Sequence, residues 1–222
     1  RVMTSNPLFH ANAQVYPTMG SLTAGASLIL LKRFSSSQIL EHARHYNATK
    51  MVLVQAVTPW VWNRPRKEDD GDNPVKTLVA GNVPKEIYCE FEKRFQLKIQ
   101  TIYSLTEAVF AIMGPREGTR PRKPGGIGVP MEHPDTGIKN EIRVVDETGK
   151  EVPREKQGEI VIRNPATMIG YFKDQERTTE SKKDGWIYTG DIGYQDEEGY
   201  FFFVGRKKEV VRRRGELISP TE

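Results

Sequence analysis

Adjacent hydroxyl and carboxylate side chains occur in the segment YSLTE at 103–107. The Thr106 hydroxyl can hydrogen-bond a phosphate oxygen, and Glu107 offers the hard oxygen ligands that Mg²⁺ prefers beside a nucleotide. Both residues follow a predicted strand that ends at Ile102, and open α/β folds place their ligands at the carboxyl edge of a parallel sheet. A hydroxyl residue followed by glutamate also begins many helices, so a helix start is the alternative interpretation.

A second group of candidates lies further along the chain. Asp191 ends the segment YTGD, and its acceptor-only carboxylate could take both hydroxyls of a ribose. The planar guanidinium of Arg206 could bind a ribose or phosphate oxygen from the side opposite Glu107. The alternatives are a β-turn aspartate at 191 and, for the basic run at 207–214, a solvated strand face or a nucleic-acid patch. No aromatic residues are interleaved in that run, so the solvated face is favoured.

The first half of the sequence predicts the sheet that would position these residues. From about residue 20 to 113, short apolar runs alternate with helical periodicities, which is typical of βα units that build a mostly parallel sheet. The predicted strands cover 28–32, 50–54, 76–80 and 98–102.

Two helices are predicted to cover this sheet. In the first, Ile39, Leu40, Ala43 and Tyr46 share one face after serines suited to N-capping. The second opens at Pro84 and carries the apolar stripe Ile87, Phe91 and Phe95. Between them, residues 63–74 contain no apolar side chain and predict a solvated loop without a site. Cys89 falls in the second helical pattern and is predicted to pack internally.

The pattern changes after RPRKPGG at 120–126, because short strands then follow one another through turns. The predicted strands are 141–145, 159–163 and 200–204, and glycine-containing turns separate them. We therefore expect an α/β fold in which a mostly parallel sheet with flanking helices, over 1–122, is followed by a small antiparallel β-barrel-like subdomain over 123–204.

Composition limits the functional classes. Hydrophobic content of 37% and charged content of 28% are ordinary for a globular protein, and the net charge of +4 suits anions such as ATP or CoA without indicating nucleic acid. A single cysteine excludes an internal disulfide and favours a cytoplasmic location. No apolar run approaches the roughly 20 residues of a membrane span. The chain begins with Arg1, and both ends suggest cuts in a longer protein.

The order and spacing of the motifs together resemble a known family, although no single motif is specific to it. The segments YSLTE, GEIVIRNPATMIGYFKD at 158–174, DGWIYTGD at 184–191 and GRKKEVVRRRGELISPTE at 205–222 resemble the core motifs of the adenylate-forming superfamily, which includes acyl-CoA synthetases. Upstream, PLFHANAQ at 7–14 resembles the motif beside the acyl pocket, and LVAGNVPKE at 78–86 occupies the place of the adenine-side turn.

The resemblance implies a role for each matching residue. Thr106 and Glu107 become catalytic residues that contact phosphate and bind Mg²⁺, and Asp191 with Arg206 binds ribose. His10 borders the acyl or CoA channel, and Lys208 matches the hinge of a C-terminal domain that begins within 205–222. The remaining implied nucleotide or CoA contacts are Gly81, Asn82, Val83, Tyr103, Ser104 and Gly215. Ser104 and the Asn82-Val83 pair depart from the glycine and small residues usual in the family.

The implied reaction joins ATP, a carboxylic acid and CoA through an acyl-AMP intermediate, with Mg²⁺ as cofactor. The general appearance favours carnitine, crotonobetaine or another short acyl group, and Trp60, Trp62 and Tyr103 are available for an aromatic cage, although core packing is the commoner use of such residues. The resemblance also implies that a phosphate loop precedes Arg1 and that a catalytic lysine follows Glu222, so we expect this chain to fold without turning over. A carrier-protein thiol as acceptor and a noncatalytic nucleic-acid-binding β-domain are the two alternatives.

Overall fold

The computed structural model describes residues 1–81, 83–109, 111–115, 118–132, 138–209, 211–213 and 216–218. The chain divides into two compact units. Unit 1 comprises Arg1–Ile102 with Arg116–Gly125, and unit 2 comprises Tyr103–Pro115 with Gly126–Glu222.

Unit 1 contains parallel strands in the order β2-β1-β3-β4-β5, which confirms the predicted parallel sheet. The strands are β1 Val2–Thr4, β2 Leu28–Leu30, β3 Lys50–Leu53, β4 Thr77–Ala80 and β5 Lys98–Tyr103. The helices are α1 Ala11–Ala13, α2 Gly20–Thr23, α3 Ile39–Tyr46, α4 Thr58–Trp62 and α5 Lys85–Phe95, with a π-helical stretch Gln14–Met19 and 3-10 turns Gln55–Val57 and Glu68–Gly71.

Helices α3 and α5 supply much of the core of unit 1. Ile39, Leu40 and Ala43 are buried as predicted, and so are Phe91 and Phe95. Two residues that were predicted to be buried on these helices are exposed instead. Tyr46 lies in the last turn of α3 and is 41% exposed. Cys89 is exposed, because its neighbour Tyr88 takes the inward position and donates a hydrogen bond to the Ile99 carbonyl.

Residues 63–74 are not the plain solvated loop that their composition predicted. The loop contains the 3-10 turn Glu68–Gly71, and Asp70 at its centre is only 3% exposed. Asp70 forms ion pairs with Arg64 and with Arg94 of α5, whose Nε lies 2.7 Å from Oδ2. A buried carboxylate must be paired, so this apolar-free loop is fixed to the core through charges.

Unit 2 is built on an antiparallel sheet, as predicted. Strand β11 pairs with β9, β10 and β12, and β9 pairs with β8. The elements are β6 Ile112–Met113, β7 Val129–Pro130, β8 Glu141–Val145, β9 Gly158–Arg163, α6 Gln175–Ser181, β10 Lys182–Lys183, β11 Trp186–Gln195, β12 Phe201–Arg206, β13 Val211–Arg213 and β14 Glu216–Ile218. Apolar side chains from β8, β9, β11 and β12 share one core with Ile112 and Ile127.

Helix α6 was not predicted from the sequence. Its start is fixed by Asp174, whose side chain accepts a hydrogen bond from the Arg177 N–H at 3.0 Å. None of the residues 175–181, all of which are described, is buried. The helix therefore has no apolar stripe, which is the signal that sequence periodicity detects.

Two glycines allow strands β9 and β11 to approach their neighbours. Gly158 and Gly193 pair with each other across the β9–β11 ladder. A Cβ atom at Gly158 would collide with the Val145 carbonyl, and one at Gly193 would collide with the Phe202 carbonyl. Both positions flank the part of the sheet that carries the candidate site.

Candidate functional site

The structure distributes the predicted site residues over the two units. Unit 2 contains most of them, namely Tyr103, Ser104, Thr106, Glu107, Asp191, Arg206 and Lys208. Unit 1 contains His10, Gly81 and Val83. Asn82 and Gly215 lie outside the described residues.

Asp191 lies in strand β11, so the prediction of a turn at YTGD is wrong. The strand continues through the motif because it bulges there: Tyr188 pairs with Val161 and Ile192 with Glu159, so residues 189–191 stand opposite Ile160 alone. Gly190 has a φ of 70°, which glycine adopts without strain. Bulges redirect side chains and are common beside active sites.

The Asp191 carboxylate is buried and contacts both a phenol and a guanidinium. Asp191 is 2% exposed. The Tyr103 hydroxyl donates a hydrogen bond of 2.6 Å to Oδ2. Nη1 of Arg206 lies 3.0 Å from Oδ1 but is not aligned for a hydrogen bond, and within the described residues Oδ1 has no hydrogen-bond partner. The carboxylate therefore retains a buried acceptor oxygen without a hydrogen bond.

Burial dominates the electrostatics of this group. It raises the pKa of Asp191 above the usual 3.8, although the Tyr103 hydrogen bond and the Arg206 charge oppose it. Burial, together with the negative charge of Asp191, also holds the pKa of Tyr103 well above its usual 10.0. The phenol therefore remains protonated at neutral pH and acts as a donor to the carboxylate.

Glu107 is positioned by a residue to which sequence reasoning gave no role. The Tyr171 hydroxyl donates a hydrogen bond of 2.8 Å to Glu107 Oε1, and the Glu107 carbonyl accepts one from the Met168 N–H. Tyr171 is fixed in turn, because its N–H bonds to the Thr178 hydroxyl and the Arg177 guanidinium lies over its ring at 4.9 Å. Tyr171 is part of the segment MIGYFKD, so the signal was present in the sequence.

The helix-start interpretation of Thr106 and Glu107 is wrong. Residues 104–109 contain no helical turn, and all of them are described. Leu105 and Ala108 exchange two backbone hydrogen bonds of 3.2 Å, and Ala108 forms a β-bridge with Thr167. The tight turn leaves Thr106 exposed and Glu107 half-buried directly after β5.

A cleft of about 620 Å³ in unit 2 brings distant candidates together. Its lining includes Glu107, Tyr171, Gly190, Arg206 and Lys208. Acidic and basic side chains both line it, so the cleft can accommodate an anion on one part of its wall and a hard cation on another.

The chain leaves strand β12 at the edge of this cleft. The Lys207 N–H donates a hydrogen bond of 2.8 Å to the Gly190 carbonyl, and the Glu209 N–H donates one of 2.8 Å to the Arg206 carbonyl. Lys207 and Arg206 both form ion pairs within unit 2, with Glu159 and Asp191. Arg206 and the first member of the basic run, Lys207, are thus engaged internally, and Lys208 lines the cleft.

The candidates in unit 1 differ in exposure. Val83 is 1% exposed and belongs to the apolar core, so any ligand contact there comes from its backbone. Gly81 follows directly after β4. His10 is exposed and caps α1, with its ring centroid 4.6 Å from that of Phe9.

The aromatic residues considered for a cage have internal partners. Trp62 packs on the unit 1 core with Arg94 over its ring at 5.5 Å. Tyr103 bonds to Asp191. Trp60 is 60% exposed, and its ring centroid lies 6.0 Å from that of Phe34.

Among the described residues, no three His, Cys, Asp or Glu side chains group closely enough to hold a metal ion by themselves. Mg²⁺ is usually held by one or two carboxylates together with substrate phosphates, so Glu107 alone suits that pattern. No helix in the described part of the chain has the length and apolar character of a membrane span.

Comparison with known proteins identifies relatives over the whole chain. Residues 1–172 match the family model described as AMP-binding enzyme. Sulfoacetate–CoA ligase of Cupriavidus necator is 32% identical over 224 residues, which cover 100% of this chain and 42% of that protein. Crotonobetaine/carnitine–CoA ligase of Salmonella heidelberg is 30% identical over 225 residues, covering 99% of this chain and 42% of that protein.

A solved structure shows the same fold. The crystal structure of ATP-bound MatB from Rhodopseudomonas palustris matches with a TM-score of 0.85 and 27% identity, over 99% of this chain and 43% of that one. The chain therefore spans less than half the length of the relatives that it matches.

Proposed function

The chain belongs to the family of AMP-binding enzymes, and we propose that it forms the ribose-, phosphate- and Mg²⁺-binding part of an acid–thiol ligase. Such a ligase activates a carboxylic acid as acyl-AMP, releases pyrophosphate and transfers the acyl group to CoA. The observation that carries the proposal is Asp191, a buried carboxylate whose Oδ1 has no hydrogen-bond partner among the described residues. Its neighbours Gly190 and Arg206 line the cleft.

Ribose binding follows from the unequal use of the two Asp191 oxygens. Tyr103 donates to Oδ2, whereas the buried Oδ1 has no hydrogen-bond partner among the described residues, and a ligand hydroxyl would supply one. Arg206 offsets the charge of the carboxylate from the side and lines the cleft. A ribose has two adjacent hydroxyls that can donate to such a carboxylate, in the way that acidic residues read ribose in dinucleotide sites.

Phosphate and metal binding are assigned to the turn after β5. The exposed Thr106 hydroxyl is free to donate to a phosphate oxygen, and Glu107 presents a carboxylate that Tyr171 holds in the cleft. Bound Mg²⁺ would offset negative charge on the phosphate oxygens. The chain's own contribution is to orient that one carboxylate and to supply cationic side chains nearby, including Arg206 and Lys208.

The remaining assignments complete the proposal. Gly81, Asn82 and Val83 are the proposed adenine contacts, and Tyr103 and Ser104 are proposed nucleotide contacts. His10 is the proposed residue beside the acyl or CoA channel, Lys208 is the proposed hinge residue and Gly215 is a proposed CoA contact. The functional division is 1–122, 123–204 and 205–222, and the location is cytoplasmic.

The acid is proposed to be a short carboxylic acid, with carnitine or crotonobetaine as first candidates. One curated relative is named for crotonobetaine and carnitine, and another for sulfoacetate. All three acids therefore belong in any substrate panel.

Pyrophosphate release tests the proposal. It would be measured against a panel of carboxylic acids, with the 222-residue chain and with the longest gene product that contains it. We expect acid-dependent release by the longer protein only, and loss of that release in Glu107→Gln. An unchanged rate in Glu107→Gln would contradict the Mg²⁺ assignment, and robust release by the 222-residue chain would contradict the expected need for further segments.

The acceptor is tested separately, because a carrier-protein thiol is the alternative to CoA. The same protein would be incubated with ATP and acid, and then with either CoA or a phosphopantetheinylated carrier protein. Formation of acyl-CoA supports the proposal, whereas acylation of the carrier alone would replace it.

A further inference from the structure

The bulge that presents Asp191 lacks ordinary ladder hydrogen bonds, and side chains replace them. The Thr189 hydroxyl donates to the Ile160 carbonyl at 2.7 Å and accepts from the Asp191 N–H at 3.0 Å. The Gly190 N–H donates to Glu159 Oε1 at 2.9 Å. A buried backbone N–H without a partner is costly, so Glu159 satisfies a group that the strand geometry leaves open.

Glu159 is itself a buried charge with a second partner. It is 8% exposed, and its Oε2 accepts a hydrogen bond of 2.8 Å from the Lys207 ammonium. The Lys207 N–H donates to the Gly190 carbonyl at 2.8 Å. Gly190 is therefore held through its N–H by Glu159 and through its carbonyl by Lys207, while Glu159 and Lys207 hold each other.

We infer that Glu159 and Lys207 are positioning residues that lock the Gly190–Asp191 bulge in its ligand-binding shape and tie it to the segment 206–208. This inference rests on the proposed function, because it takes Asp191 as the residue that binds ribose. Both side chains also line the cleft, but the role assigned to them is to hold the Gly190 backbone, with or without a nucleotide contact. The pair acts by fixing the backbone that carries Asp191. Lys207 also directly precedes Lys208, the proposed hinge residue.

The two residues make separable contributions. Glu159→Ala removes the acceptor for the Gly190 N–H and the partner of Lys207. Glu159→Gln retains an acceptor oxygen for the Gly190 N–H, but it removes the charge and replaces the acceptor of the Lys207 ammonium with an amide donor. Lys207→Ala leaves the Gly190 N–H bonded to Glu159 but removes the cation from a buried carboxylate. The order of effect is therefore expected to be Glu159→Ala first, then Lys207→Ala, then Glu159→Gln.

The test is AMP affinity, measured by calorimetry beside thermal unfolding for every variant. Exposed residues of the same unit supply matched controls, Glu151→Ala for the glutamate and Lys156→Ala for the lysine. We expect Glu159→Ala to weaken AMP binding about tenfold, because the half-buried Gly190 N–H loses its acceptor and the bulge can relax. Lys207→Ala, at a half-exposed position that tolerates substitution, should weaken it about threefold. The controls should bind as the wild type does.

A double-mutant cycle separates positioning from plain stabilisation. In an Asp191→Asn background, Glu159→Ala should have little additional effect on AMP affinity, because the residue that it positions is already disabled. Equal fold-losses in the two backgrounds would overturn the inference, as would wild-type affinity in both Lys207→Ala and Glu159→Gln.

The proposed function fails in a different way from the inference. If wild-type protein does not bind AMP, or if Asp191→Asn binds it as tightly as wild type does, both the proposed function and the inference are contradicted. If Asp191→Asn weakens binding while Glu159 and Lys207 variants do not, only the inference falls.

Discussion

Asp70 and Asp191 are both buried aspartates beside arginines, yet their environments have opposite effects. Asp70, in unit 1, is 3% exposed and has ion pairs with Arg64 and Arg94 on its two oxygens. Burial alone would raise its pKa, but the Arg94 hydrogen bond, the Lys67 N–H and the two arginine charges outweigh it and lower the pKa. Asp191, in unit 2, is 2% exposed, and its pKa is raised because burial outweighs Tyr103 and Arg206.

The difference distinguishes a structural charge from one that is kept available. Both oxygens of Asp70 are used within the fold, so nothing remains for a ligand. Among the residues that the structure describes, Asp191 has one oxygen without a hydrogen bond, and its main cation is a half-exposed arginine that lines the cleft. Incomplete pairing of a buried group is costly for the fold and is a common property of functional sites.

The largest expected effect is on the structural aspartate. Asp70→Asn should lower the free energy of unfolding by about 3 kcal/mol, because two buried arginines lose their counter-charge. Urea denaturation measures this loss. Asp69→Asn, at a 54% exposed partner of Arg44, is the control and should cost less than about 0.5 kcal/mol. A loss in Asp70→Asn no larger than in the control would remove the structural role.

Tyr103→Phe should have the next largest effect. It leaves Asp191 Oδ2 without its donor and raises the pKa of that carboxyl further. We expect a loss of about 1–2 kcal/mol in stability and weaker AMP binding. Tyr46→Phe removes an exposed hydroxyl and is the control. Wild-type stability and AMP affinity in Tyr103→Phe would show that the 2.6 Å hydrogen bond does not support the site.

Asp191→Asn should move stability in the opposite direction from Asp70→Asn. Since the folded-state pKa of Asp191 is raised, its ionised form disfavours folding at neutral pH, and this cost disappears as pH falls through that pKa. The asparagine should therefore stabilise the protein at pH 7, by less than Asp70→Asn destabilises it, and the gain should vanish in acid. Urea denaturation across pH tests this, and a loss of stability at pH 7 would contradict it.

Lowering the pH should remove the stabilisation that Asp70 contributes, whereas it removes the destabilisation caused by Asp191. Its folded-state pKa is lowered, so its stabilisation is complete above the unfolded pKa of about 3.9 and is lost as pH falls through the folded value. The wild type should lose more stability between pH 5 and 3, limits set by roughly one unit either side of that pKa, than Asp70→Asn does. Parallel curves for the two proteins would contradict the assignment.

The smallest effect is expected for Tyr171→Phe, which removes one hydrogen bond to the half-buried Glu107. A stability change of about 1 kcal/mol or less is expected. In the longer protein, the Mg²⁺ concentration for half-maximal pyrophosphate release should rise a few-fold, about the worth of one hydrogen bond, while Tyr46→Phe leaves it unchanged. An unaltered Mg²⁺ dependence would separate Tyr171 from metal binding.

The sequence predicted what short-range patterns determine. The parallel strands and the burial of Phe91 and Phe95 follow from apolar runs and helical spacing, and the family follows from ordered motifs. The patterns failed where a distant partner decides the outcome. The burial of Asp70 depends on Arg94 in another helix, and the strand through YTGD depends on Thr189 and Glu159 replacing ladder bonds at a bulge.

The site shows the same limit. Motif order placed Glu107, Arg206 and Lys208 among the candidates, and the fold brings them to one cleft. Motif order could not show that Tyr171 holds Glu107 or that Tyr103 holds Asp191, because each of these hydrogen bonds joins residues far apart in the chain.

AMP titration of the wild type and of Asp191→Asn tests the central claim most directly, with Asp70→Asn measured under conditions where it remains folded. The account predicts that Asp191→Asn weakens AMP binding by about tenfold or more, since hydrogen bonds to a charged group are lost, while folded Asp70→Asn binds as the wild type does. Equal AMP affinities for wild type and Asp191→Asn would contradict it.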